Sequence, residues 1–306
     1  MRLGIRPIID FAFKKTFGDP NNRLALISLL NAILELPIPI LDVKIENPFQ
    51  YQDFLDDKLS ILDVKATDLA GTIFHIEMQL SVTTGLTKRL VFYGCELYAG
   101  QLSHGEDYTC LRPVYSISIL NEFLFGQEAA GHHRFRLADM ENKRVLENTL
   151  EIHLLELPRY TLSETDLGTA TPVERWVFLL RYAQDYDAQT LRNLFPEVGF
   201  SQAIDTFETI SLKTEDRQMY DTRDKAARDR LWLMNGAIKE AENKGREEGR
   251  EEGREEGKLT GIIQTCRSIL GMSEIGQEFF DGTSVEELRT MASGLQALLR
   301  GRLTDN

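Results

Sequence analysis

Residues 58–80, KLSILDVKATDLAGTIFHIEMQL, decide the fold that the rest of the chain completes. Both ends of this stretch are mainly apolar, and they predict two β-strands at 59–65 and 72–80. The residues between them, 66–71, have the length and the Asp and Gly of a hairpin connection. The sequence therefore predicts a β-hairpin.

Polar residues stand at alternate positions within both strands. Side chains along a strand point the same way at every second residue, so Asp63 and Lys65 share one face, as do Glu77 and Gln79. If the strands pair, the two carboxylates converge beside a lysine and a glutamine. Mg²⁺ is usually held by one or two carboxylates together with substrate phosphate and water. The spacing thus indicates a metal site.

An alternative interpretation is a row of polar residues that faces solvent, which is ordinary patterning for a half-buried strand. Asp63 argues against it, because Asp is depleted in strands and this one lies inside the apolar run Ile61-Leu62-Asp63-Val64. A charge in such a run needs a partner or a cation. Spacing alone leaves both interpretations open.

The chain resembles the PD-(D/E)XK nucleases, because Asp63 is followed fourteen residues later by Glu77-Met78-Gln79. Gln79 stands where the motif usually has lysine. The flanking residues are similar to one branch, the recombination-promoting nuclease (Rpn) family, whose members are also described as transposases. The matching segments cover almost the whole chain in order: 10–18 (DFAFKKTFG), 62–66 (LDVKA), 76–79 (IEMQ), Lys88-Arg89 with Tyr93 and Tyr98, 155–158 (LELP), 175–178 (RWVF) and the Gly-Arg-Glu-Glu repeats.

This resemblance implies an α/β protein with an αβββαβ restriction-endonuclease-like core, a mixed sheet and an α-helical C-terminal region. It implies a metal-dependent DNA endonuclease with a recombination-promoting or transposase-like role. The carboxylates of Asp63 and Glu77 and the backbone carbonyl of Met78 would hold Mg²⁺ or Mn²⁺. Gln79 can form hydrogen bonds but carries no charge. Lys65, beside Asp63, is therefore the candidate for replacing the missing lysine electrostatically.

Candidate DNA contacts lie on both sides of this motif. Lys14 and Lys15 can touch phosphate, although two exposed lysines more often serve solubility. Arg89 and Tyr93 are four residues apart on a predicted helix, 86–102, and so share one helical face. There Arg89 would neutralise phosphate charge and Tyr93 would stack on a base or sugar. Alternatively, both side chains snorkel at the sheet edge.

Other polar residues receive minor roles. The resemblance implies that Asp10, in the first helix, is an additional acid near the metal. His75 shares a strand face with Glu77 and is expected to be hydrogen-bonded or to face solvent. His132 and His133 are expected to be solvated in a polar loop.

The remaining pattern predicts the other elements and the domain organisation. Further helices are expected at 23–36, 173–186, 200–211 and 215–241, and further strands at 40–45, 114–120, 133–137 and 150–157. The predicted domains are a nuclease-like domain at 1–241 (core 1–125, extra strands 132–158, helical layer 170–241), a linker or helix at 242–258 and a small helical cap at 259–306.

A four-residue repeat, GREEGREEGREEGK, fills residues 245–258 with four basic and six acidic side chains. It predicts either a flexible spacer or a solvated helix supported by i,i+4 ion pairs, even though each Gly costs about 1 kcal/mol relative to Ala. The C-terminal helical region is a candidate surface for self-association.

Bulk composition sets limits on partners and compartment. The 306 residues contain no apolar run long enough for a membrane span, and the N-terminus lacks a signal-peptide pattern. Three scattered cysteines without CxxC suggest neither a disulfide framework nor a zinc site, so a cytoplasmic protein is expected. The net charge of −13 is awkward for a DNA enzyme and predicts weak or gated DNA engagement.

Two rival functions remain open on the sequence. The Gln at the lysine position and the acidic composition also suit a catalytically weak or inactive nuclease-fold protein that acts as an interaction module. True transposition requires strand joining and recognition of DNA ends, and no basic helix-turn-helix is evident.

Overall fold

The computed structural model of the chain describes residues 1–54, 64–126, 129–273 and 275–304. They form two compact units, Met1–Asp229 and Arg230–Asn306. The chain passes from the first unit to the second within one helix, Thr214–Ile269, and the domain boundary predicted after residue 241 lies in that same helix.

A mixed sheet is the centre of the first unit. Its strands are β1 (Lys44–Ile45), β2 (Val64–Thr67), β3 (Ile73–Gln79), β4 (Val114–Leu120), β5 (His132–Arg136) and β8 (Leu150–Glu156), with a separate small hairpin of β6 (Ala138–Asp139) and β7 (Arg144–Val145). Within the described residues the six strands are ordered β1-β2-β3-β4-β8-β5. Strands β3, β4 and β8 run parallel, and the other pairs are antiparallel.

Helices precede, interrupt and follow the strands. They are α1 (Asp10–Phe17), α2 (Arg23–Leu34), α3 (Leu86–Ala99), α4 (Pro172–Tyr182), α5 (Ala188–Leu194), α6 (Val198–Leu212), α7 (Thr214–Ile269), α8 (Gln277–Asp281) and α9 (Val285–Thr304). Helices, strands β1 to β3, helix α3 and strand β4 follow one another in the order of an αβββαβ core. The predicted fold class is therefore confirmed.

The two faces of the sheet carry different cores. One face contributes to a large cluster that includes Phe74, Ile117 and the apolar sides of α1, α2, α4 and α6. The other face is covered by α3, whose Leu86 and Leu90 pack on Leu120 and Leu154. Because both faces are covered, polar side chains on the central strands are removed from water.

Some element boundaries differ from the sequence predictions. The strand expected at 40–45 is only Lys44–Ile45, because Lys44 pairs with Thr67, where β2 ends, and residues 40–43 lie beyond the end of that partner strand. Helix α5 was missed, since its seven residues are too few to show a clear helical period. The predicted helix 86–102 ends at Ala99, where the N–H of Gly100 bonds back to Glu96.

Helices α2 and α6 approach each other closely at Gly199. A Cβ built on Gly199 would lie 2.4 Å from the Cβ of Ser28 and 2.9 Å from the carbonyl oxygen of Leu24. Ser28 in turn accepts a hydrogen bond from the indole of Trp176. The glycine is therefore needed for close packing of these helices.

We expect Gly199→Ala to lower the free energy of unfolding by about 1–3 kcal/mol, the usual cost of overpacking a core. Urea denaturation followed by circular dichroism measures it. Gly236→Ala is the matched control, because Gly236 is also helical and a Cβ there meets nothing within 4 Å among the described residues. An equal loss in both variants would contradict the packing argument.

The second unit is helical. The C-terminal part of α7 packs on α8 and α9 through a small core that includes Ile263, Cys266, Phe280 and Leu288. Residues 242–258 belong to α7 and are helical, not a spacer without structure. Within the part of the chain that the structure describes, no helix is both long and apolar enough to cross a bilayer.

Candidate active site

The described part of the hairpin brings the predicted polar residues of β2 and β3 to one face. Lys65 pairs with His75 across the two strands, so their side chains lie on the same side. Alternation along β3 adds Glu77 and Gln79 to that side. This is the face covered by α3.

Asp63 lies outside the described residues, as does the rest of the predicted strand from 59 to 63. The described part of β2 begins at the next residue, Val64. Val64 pairs with Ile76, the residue that precedes Glu77.

Glu77 is a buried acid on a central strand, with a relative exposure of 2%. Its Oε2 accepts a hydrogen bond of 2.8 Å from Nε2 of Gln79. Its Oε1 lies 3.8 Å from Nε2 of His75, which is itself buried. The carboxylate is thus held in place away from bulk water, and His75 does not face solvent.

Arg89 reaches from α3 to the same cluster. Its Nη2 donates a hydrogen bond of 2.9 Å to Oε1 of Gln79. Tyr93, one turn further along α3, is 38% exposed and contacts the ring of Phe92. The two residues share a helix, but Arg89 belongs to the buried network and Tyr93 to the surface.

Serines of β4 extend the polar face. Ser118 pairs with Glu77 and Ser116 with His75, so the register places them beside these side chains. Ser118 is fully buried, and its Oγ has no hydrogen-bond partner among the described residues. Ser116 and Ser118 were not among the site residues predicted from the sequence. The feature of the sequence that could have identified them is their alternation with apolar residues in the strand 114–120.

The site lies at the carboxyl end of the parallel strands β3 and β4. There the carbonyl of Gln79 accepts a hydrogen bond from the N–H of Asn121, and Glu122 accepts one from the N–H of Val82. Glu156, fully buried, accepts from the N–H groups of Leu124 and Phe125 and fixes the following loop. Ligands of open α/β sheets commonly bind at such strand ends.

The first helix does not present the predicted contacts. Lys14 and Lys15 are 2% and 9% exposed, so the interpretation of two exposed lysines is wrong. Lys15 forms an ion pair with Asp216 at 2.8 Å, and Asp10 pairs with Arg223. A buried Lys14 cannot reach DNA without rearrangement, and the contacts of Asp10 are those of a structural acid.

The histidines at 132 and 133 are in strand β5, so the expectation of a solvated loop is wrong. His132 forms a 2.9 Å hydrogen bond with His153, whose other nitrogen bonds Glu151 at 2.8 Å. Burial, reinforced by the nearby His153, lowers the pKa of His132 to about 4. Burial alone would raise the pKa of Glu151, but the hydrogen bonds from His153 and Arg136 bring that pKa below its usual range.

His132 and His153 belong to the opposite face of the sheet. His153 pairs with Ile117, and Ile117 points away from its neighbours Ser116 and Ser118. His132 and His153 therefore stabilise the sheet edge and are separate from Glu77.

The donor chemistry of the site fits a hard divalent cation. The described residues contain no group of three or more His, Cys, Asp or Glu that could hold a metal ion. Mg²⁺, however, commonly takes only one or two protein carboxylates and keeps several waters. Glu77 supplies one carboxylate, and the orphaned Ser118 hydroxyl is a further hard oxygen on this face.

A mixed sheet built on an αβββαβ core, with a buried acid on the central strand, is the arrangement of a PD-(D/E)XK nuclease. The sequence model of the PD-(D/E)XK nuclease family transposases matches residues 7–237, and the chain belongs to that family. No curated protein and no solved structure matches the chain. Membership supports a nuclease-like or transposase-like role with DNA as substrate, in a family whose nucleases generally use divalent metal ions.

Proposed function

We propose that the protein is a metal-dependent endonuclease that hydrolyses phosphodiester bonds of DNA. The observation that carries the proposal is the buried carboxylate of Glu77, on the sheet face shared with Lys65 and Gln79. Burial of a carboxylate is costly unless it is paired, hydrogen-bonded or bound to a metal.

Asp63, Glu77 and the backbone carbonyl of Met78 are the proposed ligands of Mg²⁺ or Mn²⁺. A bound ion activates water and stabilises charge on the attacked phosphate. Gln79 orients the Glu77 carboxylate through its hydrogen bond, and Lys65 adds positive charge to the same face.

DNA engagement is proposed to be local and weak. Tyr93 is exposed on α3 and is retained as a stacking contact, whereas Lys14 is omitted because it is buried. The net charge of −13 disfavours tight, non-specific coating of the phosphate backbone.

Asp63→Asn is expected to reduce nicking of supercoiled plasmid in Mg²⁺ or Mn²⁺ by at least about a hundredfold, because loss of one carboxylate weakens the metal site. The melting temperature should hardly change. Lys65→Met is assayed beside it and should lower the rate less, since no ligand is lost.

Glu96→Gln is the matched control. Glu96 is exposed on α3, and its substitution removes one negative charge, as Asp63→Asn does. Full cleavage by the Asp63 variant would remove the site assignment. A wild type that neither binds Mn²⁺ nor nicks DNA would favour the second candidate below.

The second candidate is a catalytically inactive interaction module with a nuclease fold. The observation that favours it is the exposure of large apolar side chains in the second unit, where Trp232, Leu233 and Ile238 are 75%, 63% and 50% exposed. Such side chains are available for contact with a partner. Self-association through the C-terminal helical region stays a prediction that analytical ultracentrifugation of the chain can measure.

A further inference from the structure

We propose that Arg89 is a positioning residue that supplies, through Gln79, the positive charge that a lysine usually supplies in this motif. The inference rests on the proposed nuclease function. It assigns to Arg89 a role inside the protein, whereas the sequence suggested a contact with DNA.

Two hydrogen bonds link the three side chains in a row. Arg89 donates from Nη2 to Oε1 of Gln79 at 2.9 Å, and Gln79 donates from Nε2 to Oε2 of Glu77 at 2.8 Å. A guanidinium has donors but no acceptor, so only the amide oxygen of Gln79 can face Arg89. The amide nitrogen is thereby directed at the carboxylate.

Removal of Arg89 would leave the Gln79 oxygen without its donor, so the amide would be held only at its nitrogen, by Glu77. The carboxylate would then be oriented less firmly for catalysis, while it would remain available to an ion. Arg89 is half-buried, so this orienting bond is partly shielded from water.

The charge of Arg89 also acts on the site. A hydrogen bond from a cation is stronger than a neutral one and polarises the group that accepts it. Gln79, polarised in this way, is a better donor to Glu77 than an isolated amide. The Nε of Arg89 is buried and has no hydrogen-bond partner among the described residues.

Lys65 is the competing source of positive charge. It pairs with His75, two residues before Glu77, and its side chain lies on the same face. Unlike Lys65, Arg89 is linked to Glu77 by hydrogen bonds through Gln79. Substitutions of Arg89 and Gln79 therefore distinguish the two sources of positive charge.

Arg89→Met is expected to lower the turnover number of plasmid nicking by about a hundredfold, as for loss of one preorganised donor, with a much smaller change in KM. Arg89→Lys should recover most of the rate, because a lysine keeps the charge and a donor. Lys88→Met is the matched control, since it removes the same charge from an exposed neighbour on α3.

The decisive variant combines Arg89→Met with Gln79→Lys. The lysine places a charge directly beside Glu77, so the double variant should recover to within about tenfold of wild type. A purely structural role for Arg89 predicts no recovery, because Gln79→Lys restores none of the packing. Failure of this rescue would overturn the proposal.

Metal affinity gives a readout independent of cleavage. Removal of a nearby positive charge should tighten Mn²⁺ binding several-fold in Arg89→Met, measured by calorimetry, even as turnover falls. A structural defect would weaken both. Loss of Mn²⁺ binding in Arg89→Met, with binding intact in Lys88→Met, would contradict the proposed role.

The side-chain amide of Gln79 distinguishes failure of this inference from failure of the proposed function. Its NH₂ signals in a nitrogen-15 spectrum, assigned by their absence in Gln79→Glu, should exchange slowly in wild type and in Lys88→Met and rapidly in Arg89→Met. Equal exchange in all three overturns the positioning role. If wild type cleaves no DNA, the nuclease function and the catalytic part of the inference fall, and slow exchange still supports the positioning by Arg89.

Discussion

Glu77→Gln is expected to reduce metal-dependent DNA cleavage by about a thousandfold or more, because it removes both a proposed metal ligand and the charge that holds Gln79. The substitution is isosteric, and Glu77 is almost fully buried, so the shape of the site is kept. Steady-state nicking of supercoiled plasmid over a range of Mn²⁺ concentrations measures the effect.

The stability of the same variant is the second half of this prediction. A neutral amide is easier to bury than a carboxylate, so the melting temperature should stay the same or rise by a few degrees. An activity that is lost while stability is kept or gained is typical of a residue retained for function.

Glu151→Gln provides the matched contrast. Glu151 is the buried acid of the opposite sheet face, where Arg134 and Arg136 approach it at 2.9 and 2.6 Å. Its neutralisation leaves two arginines without their partner and should lower the melting temperature, while cleavage per folded molecule is kept. If cleavage required Glu151 and did not require Glu77, the active site would lie on the Glu151 face of the sheet, and the assignment to the Glu77 face would be wrong.

Local sequence patterns predicted the strands at the centre of the sheet. Strand 114–120 was predicted with its observed limits, because its apolar residues alternate with two small serines, and all seven residues are buried in the structure. The pairing of β2 with β3 follows from the hairpin expected between them, and the observed register brings Lys65 and Glu77 to one face as the alternation required.

Such local patterns did not predict contacts between residues that are far apart in the sequence. Lys15 is buried where it pairs with Asp216, which is 201 residues away in the chain. Nothing near Lys15 in the sequence therefore distinguishes it from a surface lysine. Likewise, the helical spacing placed Arg89 and Tyr93 together, but only the packing of α3 on the sheet directs Arg89 to Gln79. His132 was misjudged because its partner, His153, lies on a separate strand.

Asp216→Ala is expected to lower the free energy of unfolding of the first unit by about 3–5 kcal/mol, the usual cost of breaking a buried ion pair from one side. Asp216 is completely buried in the first turns of α7, where it accepts hydrogen bonds from Lys15 at 2.8 Å and from the hydroxyl of Tyr51 at 2.6 Å. Without it, the Lys15 ammonium has no carboxylate beside it and keeps the hydroxyl of Tyr51 at 2.6 Å and the faces of nearby rings, 4.5 Å away at Tyr51 and 5.0 Å at Phe49.

The double variant Lys15→Met with Asp216→Ala tests whether the buried charge is the cause. Removal of both charges should restore most of the lost stability, giving a coupling energy of about 1–3 kcal/mol. Urea unfolding followed by Trp176 fluorescence reports on the first unit, in a Trp232→Phe background that removes the other tryptophan. If the two single changes simply add, Lys15 and Asp216 stabilise the start of α7 independently, and the ion pair is not what fixes this helix to α1.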